Sequence, residues 1–148
     1  MDGQKMSMIT RTKERIKKDE GLRLRIYKCS QGKLTIGYGF NLSDNPITTH
    51  VAEMLFNDQF NKNLIPTMQF AGDTWNVLSE VRQGVLLNMC YQLGAEKLFG
   101  FKQMRSALME LEYDKAADEM IDSLWYQQTP KRAGRLAAEM RLGFEAKE

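Results

Sequence analysis

After its first twenty residues this 148-residue chain changes hydrophobic period once, and that change limits the folds open to it. Leu24 and Ile26 alternate with Arg23, Arg25 and Tyr27, and Leu34, Ile36 and Tyr38 alternate again further on. A period of two belongs to strands. From Thr48 onward apolar residues recur at helical spacing, and they do so to the C-terminus. One short strand region followed by helices reads as an α+β chain, mainly helical.

Punctuation supports that reading. Ser7 caps a first helix with Ile9 and Ile16 on one side, and Gly21 stops it. Ser30-Gln31-Gly32 reads as a three-residue turn with glycine in the left-handed position. A turn there pairs Tyr27 with Thr35, Ile26 with Ile36 and Leu24 with Tyr38, so the apolar residues share one face and Cys29 and Thr35 the other. Val51, Leu55 and Phe56 mark a helix that Pro66 should end. Val81, Val85, Leu86, Met89 and Leu93 mark another, stopped by Gly94. Further helices are expected around Met104 to Leu111 and Ala116 to Trp125. The last starts at Thr129-Pro130 and runs through Ala133, Leu136 and Met140 to Gly143.

The expected architecture is one domain over residues 1–148. A small β-hairpin lobe, about 20–45, stands beside a larger helical lobe, about 67–148 plus the N-terminal helix. The helix near Val51 to Leu64 joins them, and a cleft between the lobes is the natural ligand site.

Composition narrows the chemistry. Hydrophobic residues at 43% and charged residues at 27% describe a folded globular chain. A net charge of +2 favours an anionic partner without requiring nucleic acid, for which there is no reading motif. Cys29 and Cys90 form no disulfide framework and have no metal-ligand spacing. His50 is the only histidine, and no Gly-x-Ser-x-Gly or His-Glu-x-x-His element accompanies it. The polar run Met1 to Met8 lacks a signal-peptide core, and no run approaches the roughly 20 apolar residues that span a bilayer. The chain is expected to stay in the cytoplasm until something else releases it.

Three side chains around the hairpin carry chemistry. Glu20 follows Asp19 at a helix C-terminus, where the dipole disfavours negative charge and so favours a carboxyl that keeps its proton. That suits a general acid. Cys29 and Thr35 project together from the far face of the hairpin. Taken singly, Glu20 also reads as a solvated surface residue, Cys29 as a turn edge and Thr35 as an ordinary strand former.

Glu20-Gly21 with Leu24, Tyr27, Gly32 and Thr35-Ile36-Gly37-Tyr38-Gly39 resembles the catalytic hairpin of the phage lysozymes related to T-even phage lysozyme. The resemblance continues in Asn88-Met89-Cys90-Tyr91-Gln92-Leu93-Gly94, and in Trp125-Tyr126-Gln127-Gln128-Thr129-Pro130-Lys131-Arg132-Ala133 with Arg135 and Arg141-Leu142-Gly143. It covers nearly the whole chain in the same order. It implies a lysozyme-like fold and an endolysin muramidase that cuts the β-1,4 bond between N-acetylmuramic acid and N-acetylglucosamine in bacterial peptidoglycan. It implies no metal or organic cofactor, a monomer, and release to the cell wall through a separate holin.

By position, the resemblance makes Glu20 the general acid and has Thr35 help hold the attacking water. Cys29 stands where most members carry aspartate. An unperturbed thiol titrates near 8.5; Arg25 or Lys28 would lower that and leave a thiolate able to act as base or nucleophile. Phe40 stands where the family usually has histidine, and the segment from Asn41 to Thr48 is short. Asn41 falls at the hairpin edge, Tyr91 and Gln92 at positions facing the cleft, and Arg132 at the arginine that pairs with the catalytic glutamate. Tyr91 also reads as core and Gln92 as a partner for buried backbone. Trp125 reads as core and Cys90 as a buried thiol. Lys131, Arg132, Arg135 and Arg141 read as a solvated basic face with a weak attraction to the anionic envelope. The rivals are a lytic transglycosylase, which needs one carboxyl and no aspartate, and a peptidoglycan-binding protein without catalysis.

Overall fold

A computed structural model describes residues 6–146. The first five positions of the polar run Met1 to Met8 lie outside the described residues. The fold is α+β and mainly helical, with one three-stranded antiparallel sheet in the order β1-β2-β3. Chain contacts divide it into two compact units, the first ending at Glu53 and the second starting at Met54.

The first unit contains α1 (Met8–Glu20), β1 (Arg23–Lys28), β2 (Leu34–Gly37) and β3 (Phe40–Asn41). Ser7 caps α1 by accepting from the Thr10 N–H, and Gly21 ends it at φ 73°. The β1–β2 turn closes as its sequence requires. The Cys29 N–H donates to the Lys33 carbonyl at 3.0 Å, the Gly32 N–H donates to the Cys29 carbonyl at 2.8 Å, and Gly32 takes φ 74°.

Tyr27 lies opposite Thr35 as expected, but the ladder slips further along, and Leu24 does not keep Tyr38 as its partner. Arg23 faces Gly37, where an unbroken ladder would bring it to Gly39. A bulge absorbs the difference. The sequence reading missed β3, a two-residue strand that pairs Ile36 with Phe40 and Thr35 with Asn41. The chain reverses through Gly37-Tyr38-Gly39, with both glycines at positive φ. The apolar face of the hairpin is largely exposed: Leu24 is 80% and Ile26 57% accessible. No element of the first unit covers it, for α1 has no buried residue. Thr35, on the central strand, is the one buried residue described in this unit.

The segment after β3 is pinned by polar bonds. Asn41 Nδ2 donates to Asp44 Oδ2 at 2.9 Å, the Asp44 N–H donates to Asn41 Oδ1 at 3.1 Å, and Lys33 Nζ reaches Asp44 at 3.1 Å.

Helix α2 (Thr49–Ala71) starts in the first unit and ends in the second, and it runs through Pro66 instead of stopping there. A proline lacks one helical donor and crowds the preceding turn. On either side of the proline, side chains add bonds to the helix backbone: Thr67 Oγ1 donates to the Asn63 carbonyl at 2.7 Å, and Asn63 Nδ2 donates to the Gln59 carbonyl at 2.7 Å. A 3₁₀ turn (Gly72–Val77) follows.

The second unit holds the apolar core. Its helices are α3 (Glu80–Leu93), α4 (Ala95–Phe99), α5 (Lys102–Met109), α6 (Tyr113–Ile121), α7 (Leu124–Gln128) and α8 (Pro130–Leu142). The helix expected from Ala116 to Trp125 is therefore two, because Ser123 accepts from the Tyr126 N–H and starts α7 afresh. Helix α8 begins at Pro130 and ends at Gly143 as expected, although Thr129 turns its hydroxyl to the Trp125 carbonyl and not to the new helix. Phe70, Leu86, Met89, Leu98, Met104, Leu108, Met120 and Met140 are fully buried together. Trp125, read as core, is 4% accessible.

Candidate active site

The seven residues singled out from the sequence divide between the two units. Glu20, Cys29, Thr35 and Asn41 belong to the first; Tyr91, Gln92 and Arg132 belong to the second.

In the first unit, Cys29 follows β1 and Thr35 sits on β2, with the thiol beside the hydroxyl. The Cys29 thiol is held below its ordinary range. The backbone amide of Gln31 contributes most, then that of Lys33, against a smaller opposing effect of burial. The cause is therefore the tight turn, which aims amides at sulfur, and not Arg25 or Lys28. Such a cluster of donors favours the thiolate.

Thr35 Oγ1 donates its one proton to the Lys33 carbonyl at 2.9 Å. What the hydroxyl then offers a water is a lone pair. Asn41, beside Thr35 in the sheet, spends its side chain on Asp44.

Glu20 is the last residue of α1, and its carboxyl lies against the β2–β3 turn. A β-carbon added to Gly39 would stand 2.7 Å from Glu20 Cδ and closer still to Oε2. Lys17, one turn earlier, places its ammonium 5.4 Å from the centre of the Tyr38 ring. The end of α1 thus rests on Tyr38-Gly39. Sequence reasoning assigned Gly39 no role, although the paired glycines of Thr35-Ile36-Gly37-Tyr38-Gly39 marked the turn.

In the second unit, Tyr91 is half-buried and packs its ring 5.4 Å from that of Phe56. Gln92 accepts from Trp125 Nε1 at 2.9 Å through its oxygen. Arg132 donates from Nε and Nη2 to Asn88 Oδ1 at 2.8 and 2.6 Å. Asn88 was part of the quoted motif without a role; it orients the guanidinium. A cavity of about 490 Å³ in this unit is lined by Leu93, Phe101, Met104, Glu119, Trp125 and Gln128 among others.

The first unit thus brings together a carboxyl at the end of α1 with a thiol and a hydroxyl on the adjoining sheet. The chain belongs to the phage lysozyme family, whose profile matches residues 17–138. Over 96% of its length it is 31% identical to the pre-baseplate central spike protein Gp5 of Enterobacteria phage T4, of which it spans 29%. Over 92% of its length it is 27% identical to the probable T4-type lysozyme 2 of Dictyostelium discoideum, covering 96% of that protein. The probable T4-type lysozyme 1 of the same organism is 26% identical over the same shares. Among the described residues no helix is long and apolar enough to cross a membrane.

Proposed function

We propose that this protein is an endolysin muramidase that hydrolyses the β-1,4 bond between N-acetylmuramic acid and N-acetylglucosamine in bacterial peptidoglycan. The observation that carries the reading is the Cys29 sulfur among the Gln31 and Lys33 amides with the Thr35 hydroxyl beside it. Lysozyme-family membership supports the substrate class.

Glu20 protonates the leaving oxygen. The Cys29 thiolate takes one proton from a water, and the Thr35 lone pair receives that water's other hydrogen. The water's own lone pair is thereby turned to the anomeric carbon from the face opposite the leaving group, so the product inverts. A carboxyl, a thiolate and water complete the hydrolysis, and no metal or organic cofactor enters. Tyr91, Gln92 and Arg132 bind the glycan, and Asn41 shapes the edge beside Thr35. The chain acts as a single lysozyme-like domain and a monomer. It waits in the host cytoplasm until a separate holin admits it to the wall during host lysis.

Clearing of bacterial walls tests this. Glu20→Gln keeps the shape but has no proton to give, so activity should fall by about 10²–10⁴-fold with the fold intact. Cys29→Ser should lose far more activity than Cys29→Asp, since serine does not ionise near neutrality. Equal activity for Cys29→Ser and the parent would remove Cys29 from the mechanism. The aspartate position held by cysteine also suits a lytic transglycosylase, whose product is an anhydro sugar; a reducing-end sugar decides for hydrolysis. Time-resolved NMR should find the α-anomer first, and an initial β-anomer would point to a covalent glycosyl-thiol and retention.

A further inference from the structure

We propose that Gly39 is a positioning residue for Glu20: the missing side chain makes the β2–β3 turn a floor on which the acid's carboxyl rests. The inference builds on the assignment of Glu20 as the acid. Gly21, Gly32, Gly37 and Gly39 all take positive φ, from 69° to 74°, which by itself explains a glycine. At the first three an added β-carbon would meet nothing within 4 Å. At Gly39 it would meet Glu20 Cγ at 3.3 Å, Cδ at 2.7 Å, and Oε2 nearer than either. Backbone freedom accounts for three of these glycines, and only Gly39 is also required empty by a functional side chain.

The geometry decides what would yield. The atoms struck are the far end of a flexible side chain, so the carboxyl would swing away at little cost to the fold. The end of α1 has less freedom to follow, because Lys17 stands over Tyr38. The β1 bulge contributes as well: with Arg23 opposite Gly37, Gly39 is free of β1 and turns toward Glu20. A methyl at Gly39 should therefore misplace the acid and leave glycan binding alone. Displacing a reacting group by about 1 Å costs on the order of 10²-fold in rate.

The test compares Gly39→Ala with Gly37→Ala in the full chain, by thermal unfolding and by kcat and KM on soluble peptidoglycan fragments. Both alanines suffer the same left-handed strain, so their melting temperatures should fall together. Gly37→Ala should keep the parental kcat, while Gly39→Ala should lose about 10²-fold in kcat with KM nearly unchanged. In a Glu20→Asp background, whose shorter carboxyl withdraws from the methyl, Gly39→Ala should cost under about tenfold. A parental kcat for Gly39→Ala, or an equal loss for Gly37→Ala, would overturn the proposal. If Gly39→Ala does not fold, adding Glu20→Ala should restore folding, and failure to do so would overturn it equally. Glu20→Gln separates the two ideas: an active Glu20→Gln sinks the acid assignment, whereas an inactive one beside a fully active Gly39→Ala sinks only the floor.

Discussion

Cys29 shows how far one residue can be read from sequence. Its spacing from Glu20 and Thr35 was legible, and so was its place beside the turn. The source of its acidity was not: amides of a tight turn do the work that nearby Arg25 and Lys28 suggested, and amide direction is a property of closed backbone. Gly39 and Asn88 were illegible for a related reason, since each acts through a contact that no periodicity encodes. The lowered thiol has a sign that can be checked. Deprotonation supplies the base while Glu20 must keep its proton, so the pH–rate profile should have two limbs, and the one set by Cys29 should lie below the ordinary thiol value of about 8.5. Cys29→Asp should move that limb to the carboxylate range, near 4. Iodoacetamide should label Cys29 in the folded protein with the pH dependence of the Cys29 limb and abolish lysis. Cys90, fully buried and donating to Asn63 Oδ1 at 3.4 Å, should react only on unfolding. A pH–rate profile unchanged in Cys29→Asp would separate the thiol from the chemistry.

Elements with strong terminal signals were read correctly, and those fixed by distant side chains were not. Ser7 and Gly21 bounded α1, Gly94 ended α3, and Pro130 and Gly143 bounded α8, because caps and left-handed glycines act locally. Pro66 misled because the end of its helix is held by burial of Asn63, Thr67, Phe70 and Ala71, which outweighs one missing backbone donor and is not visible locally. β3 is two residues long and offers no alternation to detect. The end of α8 has a long-range support of the same kind. Arg82 on α3 donates from Nε to the Met140 carbonyl at 2.7 Å and from Nη2 to the Arg141 carbonyl at 2.9 Å, with its guanidinium 3.5 Å from the Tyr113 ring centre. Methionine can fill that volume but cannot donate. Arg82→Met should therefore destabilise the protein by roughly 2–3 kcal/mol in urea unfolding, with α8 fraying from its C-terminal end. A loss within about 0.5 kcal/mol would mean that solvent caps those carbonyls equally well.

Across the whole molecule, stability and chemistry are placed in different units. Among the described residues, the fully buried apolar side chains all lie from Phe70 onward, whereas the carboxyl, thiol and hydroxyl proposed to act belong to a unit whose one buried residue is Thr35. Hydrophobic burial is the main support of cooperative folding, and segments with few buried contacts open locally at low free-energy cost. The strand ladder has backbone hydrogen bonds but little apolar packing within its own unit. Native-state hydrogen exchange should accordingly resolve two tiers. Amides of α3, α6 and α8 should exchange only through global unfolding and follow the stability measured in denaturant. Amides of β1 and β2 should exchange at least about 100-fold faster, through an opening that denaturant hardly promotes because it exposes little new surface. Thr35, on the central strand, should be the slowest of that tier. Arg82→Met should speed exchange in the upper tier and leave the sheet unchanged, since it weakens only the second unit. Sheet amides that exchange at the same rate as α3, or that speed up with it in Arg82→Met, would show a single cooperative unit and defeat this division of labour.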